Sequence, residues 1–280
     1  MLTIDPKELP IPKLHQYLLG GVSPRPIALA STIDKHGNPN LSPFSFFNVF
    51  SANPPIMVFS PARSGRTGAT KNTFDNVKET HEVVINTVTY DMVQQVSLSS
   101  SPYEKGVNEF TKSGLTPVAS DLIKPFRVKE SPVQFECKVT DIIELGQGGG
   151  AGNLVICEVV KIHVNENVLD ENGMIDQQKI DLVSRMGGNW YCRADKNSMF
   201  EVAKPLTTIG IGVDAIPAPI RNSTILTGND LGLLGSVEHL PPKEEVDAYH
   251  YAGNNAHQDA HILLQQGNIT EAWKVLLKEG

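Results

Sequence analysis

The sequence predicts a mainly β protein with inserted helices, a barrel of mostly antiparallel strands followed by a C-terminal loop-and-helix extension. Three observations predict it. Short apolar runs bounded by Pro, Gly, Asn and Asp clusters recur from Pro26 to Val164, the pattern of strands joined by turns. The few helical periodicities fall between these runs without the regular alternation of βαβ units, which argues against a parallel sheet. Beyond Lys204 the texture changes: residues 205–240 are rich in Gly, Pro and Leu, and helical spacing dominates from Glu244. The expected domains are therefore 1–204 and 205–280.

Each element has its own reason. Residues 26–33 are short, apolar and flanked by prolines, residues 34–40 are dense in turn formers, and residues 41–49 are the expected hairpin partner. Asn53-Pro54-Pro55 then interrupts, because proline cannot donate to a central ladder, before the apolar run 56–59. Residues 69–80 place Phe74 and Val77 three apart among polar neighbours, which predicts a short amphipathic helix. Residues 81–89 read as a strand, and Met92, Val93 and Val96 repeat at helical spacing. Residues 109–113, stopped by Gly114, predict a short helix with a glycine cap. Two long β runs, 133–145 and 153–164, are joined by a glycine-rich turn at 146–152, where glycines supply the positive φ that a hairpin needs. In the extension, Ala260, Leu263 and Leu264, then Ala272, Trp273, Leu276 and Leu277, recur at helical spacing.

Composition excludes several classes. Lys+Arg of 24 against Asp+Glu of 31 gives a net charge of −7, which argues against nucleic acid as a partner because that affinity rests on surplus basic charge. Cys137, Cys157 and Cys192 are widely spaced with no C-x-x-C, so they predict reduced thiols rather than a disulfide framework or a zinc knuckle. The first thirty residues carry Asp5, Glu8 and five prolines instead of a basic start and an apolar core, and no apolar run approaches the ~18 residues that span a bilayer. The expectation is a cytoplasmic, unprocessed protein with no membrane partner.

Four stretches bear on chemistry. The run Gly146-Gln147-Gly148-Gly149-Gly150-Ala151 formally matches a dinucleotide fingerprint, but that motif needs a helix immediately after it, and the β-branched residues from Asn153 predict a strand. Residues 60–73 hold Arg63, Arg66 and Lys71 and no acid. Their glycines, hydroxyls and approach to a helix start suit a phosphate, and a solvated basic loop is the alternative. Next to it, residues 44–50 pack four of the ten phenylalanines into seven positions. Strict alternation would put Phe44, Phe46, Asn48 and Phe50 on one face and Ser45, Phe47 and Val49 on the other. Such a strand is either buried core or the bed of a planar aromatic ligand. His257 and His261 are four apart without the Glu of H-E-x-x-H, so they predict an exposed polar pair and no metal site. Neither a G-x-S-x-G elbow nor a P-loop occurs.

Taken in order, five pieces resemble the flavin reductase-like, FMN-binding split-barrel family, flavoredoxin included. They are Pro24-Arg25-Pro26 with the run to Thr32, residues 42–48 with Asn53-Pro54-Pro55, Lys71-Asn72-Thr73, residues 106–110 with Ser131-Pro132, and residues 184–191. The resemblance covers about residues 20–200. It implies a split-barrel homodimer with FMN near the subunit interface. It also implies that Ser45, Phe46, Phe47 and Asn48 line the ribityl chain and isoalloxazine, that Ser60, Arg63, Lys71, Asn72 and Thr73 hold the phosphate, and that Arg25 and Arg185 lie near the flavin. The Lys-Asp-Thr often found after the phosphate loop is Lys71-Asn72-Thr73 here, which adds a donor and removes a charge. The implied activity is hydride transfer from NADH or NADPH to flavin, with electrons passed on to a redox protein or free flavin. A flavoredoxin-like electron carrier without its own nicotinamide turnover is the alternative. No catalytic side chain and no metal are expected, because the flavin carries the chemistry.

Overall fold

The expected single strand over residues 41–49 is two strands. Strand β2 (Pro39–Phe44) ends at Phe44, Ser45 and Phe46 bend the chain, and β3 (Phe47–Ala52) sets off on a new course. β2 pairs antiparallel with β1 (Ala28–Ile33) through the expected hairpin. β3 pairs instead with β4 (Pro55–Phe59) across the Asn53-Pro54 break. Both strands belong to one sheet with β5 (Glu82–Asn86), β8 (Val133–Glu144) and β9 (Asn153–Val164), in the order β2-β1-β5-β8-β9-β4-β3. Every pairing in it is antiparallel.

That order has a geometric consequence. β2 and β3 are the two edges of the sheet, yet only Ser45 and Phe46 join them. Three residue steps reach about 11 Å at most, so the sheet must curl until its edges meet at this corner. No ladder joins β2 to β3. The barrel is split, and the split opens from Ser45 and Phe46.

This computed structural model describes residues 1–278, and the chain in it forms two units, Met1–Phe200 and a second that starts at Glu201. In the first, the inner face of the curled sheet buries Ala28, Ala30, Phe44, Phe59, Ile85 and Val155 together with Phe74 and Val77 of α2 (Asn72–Thr80). The outer face of β1 and β2 buries Ile27, Leu29 and Leu41 against α3 (Val93–Ser99) and α4 (Glu109–Ser113). α4 stops where expected, with Gly114 at φ 70°. A two-residue pair, β6 (Pro117–Val118) with β7 (Arg127–Val128), and a ribbon, β10 (Val183–Arg185) with β11 (Tyr191–Arg193), complete the unit. Helix α1 (Ile11–Gly21) precedes them all, and none of its residues is buried.

The second unit is helical earlier than its texture suggests. It contains α5 (Ala218–Arg221), α6 (Gly228–Gly235), α7 (Lys243–Ala248), α8 (Ala256–Gln265) and α9 (Ile269–Lys278). The glycine-rich run at 228–235 is a helix because Thr227 and Asp230 form a reciprocal capping box at its start. Trp273 and Ala272 of α9 and Ala260 and Leu264 of α8 close on Leu234 in one core. His257 and His261 are half-buried rather than exposed: His257 bonds Ser223 at 2.8 Å and His261 bonds Asp230 at 2.9 Å. No helix among the described residues is long and apolar enough to cross a membrane.

Candidate functional site

Ser45 and Phe46 stand at the corner where the edges meet. The Ser60 amide donates to the Phe46 carbonyl at 2.8 Å, and Phe47 lies opposite Phe59 in the β3–β4 ladder. The phenylalanine segment and the start of the cationic loop are therefore neighbours. The reading of residues 44–50 as one strand with two buried faces is corrected here. Phe44 faces the core and packs on Phe59 with ring centroids 5.6 Å apart. Phe46 at the bend is exposed, β3 as an edge strand leaves Asn48, Val49 and Phe50 exposed, and Phe47 rests against the core half-buried.

Residues 60–73 divide by what their side chains already hold. The Ser60 hydroxyl accepts from the Asn153 amide at 3.0 Å. Thr73, buried, donates to Asn40 Oδ1 at 2.7 Å, and Asn40 in turn donates to the buried Glu109 carboxylate at 2.9 Å. Arg63 donates to Glu144 and to Gln147 Oε1 at 2.9 Å each and to the Gly68 carbonyl at 3.3 Å. The glycine-rich hairpin turn supports this loop by close backbone approach: a Cβ at Gly149 would lie 3.0 Å from the Gly65 carbonyl oxygen. Asn72 and Lys71 differ from these three. Lys71 is the exposed N-cap of α2, no side chain caps that helix, and Asn72 is half-buried at its first position. Neither Lys71 nor Arg66 forms an ion pair among the described residues.

Glu144 ties the loop down electrostatically. Lys78, Gln147 and Arg63 bond its carboxylate and hold its pKa down at about 2. A carboxyl held below its ordinary 4.5 adds stability above that value and loses it as the pH falls toward 2. The urea midpoint of the wild type is expected to drop across this window by more than that of Glu144→Gln. Equal drops contradict the assignment.

On the other side of the corner stand the two arginines. Arg25 is buried and donates to the Leu19 carbonyl at 2.7 Å, the Val22 carbonyl at 2.5 Å and the Met186 carbonyl at 3.0 Å, with Ser45 Oγ at 3.5 Å. It thereby pins the C-terminal turn of α1. Burial first, and the charge of Arg185 second, lower its pKa. Arg185 pairs backbone to backbone with Arg25 and lines a cavity of about 530 Å³ with Ser45, Gln94, Ser97, Asn189 and Tyr191. The cavity has the size of a small-molecule site. Sequence reasoning missed Gln94, Ser97 and Tyr191 as cavity residues, and missed α1, whose His15 meets Phe46 edge-on at 6.3 Å.

The unpaired groups decide whether a flavin mononucleotide fits. A dianionic phosphate needs free N–H donors and cations, and the open N-terminus of α2 with Lys71 and Arg66 offers both. A planar ring needs an apolar bed, and Phe46 with the exposed start of β3 offers it. The Arg63 Nε and Asn153 Oδ1 atoms beside the same loop are buried and find no hydrogen-bond partner among the described residues. The residues fit the group.

Known proteins share this architecture. The model of the flavin reductase like domain matches residues 20–181. A protein of Aquifex aeolicus is 37% identical over 182 residues, 65% of this chain and 90% of its own length. One of Halalkalibacterium halodurans is 35% identical over 192 residues, 68% of this chain and 91% of its own. Among solved structures, nitrilotriacetate monooxygenase component B from Bacillus cereus superposes with a TM-score of 0.67 at 30% identity, over 72% of this chain and 98% of that one. A split barrel domain protein from Shewanella frigidimarina NCIMB 400 superposes with a TM-score of 0.60 at 28% identity, over 71% and 96%. With the split sheet, the corner and the family match in agreement, the chain belongs to the flavin reductase-like family.

Proposed function

We propose that the protein binds FMN across the Ser45–Phe46 corner and works as an FMN-dependent oxidoreductase that takes hydride from NADH or NADPH and passes electrons onward. The observation that carries this reading is the bond from the Ser60 amide to the Phe46 carbonyl, which sets the start of the phosphate loop against the ring-bearing segment. FMN, when bound, supplies the hydride-accepting ring. The chain supplies position and charge. Lys71, Arg66 and the open end of α2 hold the phosphate, and Asn72 donates beside them. Ser60, Arg63 and Thr73 act one step back, fixing the loop through Asn153, Glu144 and Asn40. Phe46, Phe47 and Asn48 bed the ring, Ser45 offers its hydroxyl at the edge, and Arg25 holds Ser45 and α1 in place. None of these side chains needs to move a proton.

Anaerobic addition of NADH or NADPH to the FMN-loaded protein tests the reading. Rapid bleaching of the flavin band is expected. A band that resists both nicotinamides and bleaches only with a reduced protein donor makes the chain an electron carrier instead. Lys71→Ala is expected to weaken FMN binding by about 1 to 3 kcal/mol, the range of a charge-assisted hydrogen bond. An unchanged dissociation constant at low salt contradicts the phosphate assignment.

A homodimer belongs to the same proposal. Val49 and Phe50 on the β3 edge are 58% and 68% exposed. Apolar residues clustered on an edge strand suit a partner that covers them. Light scattering of the FMN-loaded protein is expected to give twice 30.5 kDa, and a single-chain mass contradicts it.

A further inference from the structure

The β10–β11 ribbon carries two arginines in parallel circumstances with one difference. Arg193 stacks on Tyr90, its guanidinium 3.9 Å from the ring centre, and makes a bidentate pair with Asp181 at 2.7 and 2.9 Å. Its charge is answered. Arg185 stacks on Tyr191 at 4.6 Å and donates to the Gly188 carbonyl at 2.9 Å, and no carboxylate among the described residues pairs with it. A second cation, paired with it through the backbone, compounds the imbalance. Arg25, backbone-paired with Arg185 and buried, bonds only neutral oxygens, three carbonyls and the Ser45 hydroxyl. Two arginines at backbone-paired positions thus have no acid partner among the described residues, in a chain whose net charge is −7.

The 530 Å³ cavity that Arg185 lines has no acid among the described residues either, and its other polar groups, Ser45, Gln94, Ser97, Ser100 and Asn189, are neutral. A concave site with low-dielectric walls and one sign of charge concentrates the opposite sign. The Tyr191 ring beside the guanidinium supplies a flat surface, and the planar fork of arginine matches a carboxylate or phosphate in two-point contact. We infer that this cavity binds a planar ring bearing an anionic group, with Arg185 as the anchor of the anion in the place that Asp181 takes for Arg193. The inference rests on the flavin reading only for what lies beside the ring at Ser45; the anion preference itself stands without it.

Calorimetric titration of the full chain loaded with FMN tests this, using benzoate, its neutral isostere benzamide, and nicotinamide mononucleotide as probes. At least one of the two anions is expected to bind tenfold or more tightly than benzamide. Arg185→Ala is expected to erase that preference, and Arg185→Lys, which keeps the charge but not the fork, to leave an intermediate one. Benzoate as the stronger ligand identifies an organic carboxylate, and the mononucleotide as the stronger identifies the phosphate of a nicotinamide substrate. Benzamide binding as well as both anions, or a preference that survives in Arg185→Ala with unchanged circular dichroism, overturns the inference. If FMN is not retained, the same titration on the flavin-free chain still decides it: an Arg185-dependent anion preference there upholds the cavity while the flavin reading falls.

Discussion

Replacing Phe74 by alanine is expected to lower the unfolding free energy by about 3 to 5 kcal/mol, the range for emptying a large aromatic site in a core. Phe74 is 1% exposed and lies in the inner cluster with Phe44 and Phe59, the residues that close the sheet beside its corner. It also anchors the first turn of α2, three residues after Lys71. The substitution therefore acts twice. It opens a cavity that the curled sheet cannot collapse, since interiors pack at crystal-like density, and it frees the helix end that offers N–H groups to a phosphate. Urea unfolding followed at 222 nm is expected to shift by the stated amount, and FMN retention through gel filtration is expected to fail. A shift below about 1 kcal/mol, the scale of an ordinary surface change, contradicts the packing argument.

The second large effect is expected in the helical unit. Trp273 is fully buried among Leu234, Ala260, Leu264 and Leu276, and its indole N–H donates to the Leu234 carbonyl at 3.1 Å. Trp273→Ala removes the largest buried side chain and leaves a carbonyl of α6 unpaired, for a loss of about 3 to 5 kcal/mol. Trp273→Phe, which keeps most of the volume, is expected to lose less. The only other tryptophan, Trp190, is 78% exposed, so the blue-shifted part of the native emission belongs to Trp273. Loss of that emission in Trp273→Ala without any fall in the urea midpoint contradicts the account.

Much of the architecture could be read from local signals. The β8–β9 hairpin declares itself through two β-branched runs and five glycines in seven positions, and α4 through Gly114, because these features act within a few residues of where they stand. What escaped was decided at a distance. Alternation over residues 44–50 says nothing of the bend at Ser45 and Phe46, which follows from the curl of the whole sheet, so of the two alternatives for this stretch the buried core fails on an exposed edge. Arg63 looks like a free cation until Glu144, 81 residues later, is folded against it. Thr73 looks like a phosphate donor until Asn40 takes its hydroxyl. Helix α1 buries none of its residues and so has no core periodicity to betray it, and α6 was hidden by glycines whose cap, Thr227 with Asp230, outweighs their cost. Lys71, Asn72 and the Ser45–Asn48 segment were legible as site candidates because chemistry there is written in consecutive residues.

Everything functional depends on one yellow ligand bridging Phe46 and the end of α2. The most direct measurement is the absorbance spectrum of the protein after reconstitution with FMN and gel filtration, read beside the protein concentration. A flavin band that co-elutes at one FMN per chain and falls away in Lys71→Ala is the expected result. A colourless protein peak, with all the FMN in the small-molecule fraction, would contradict it.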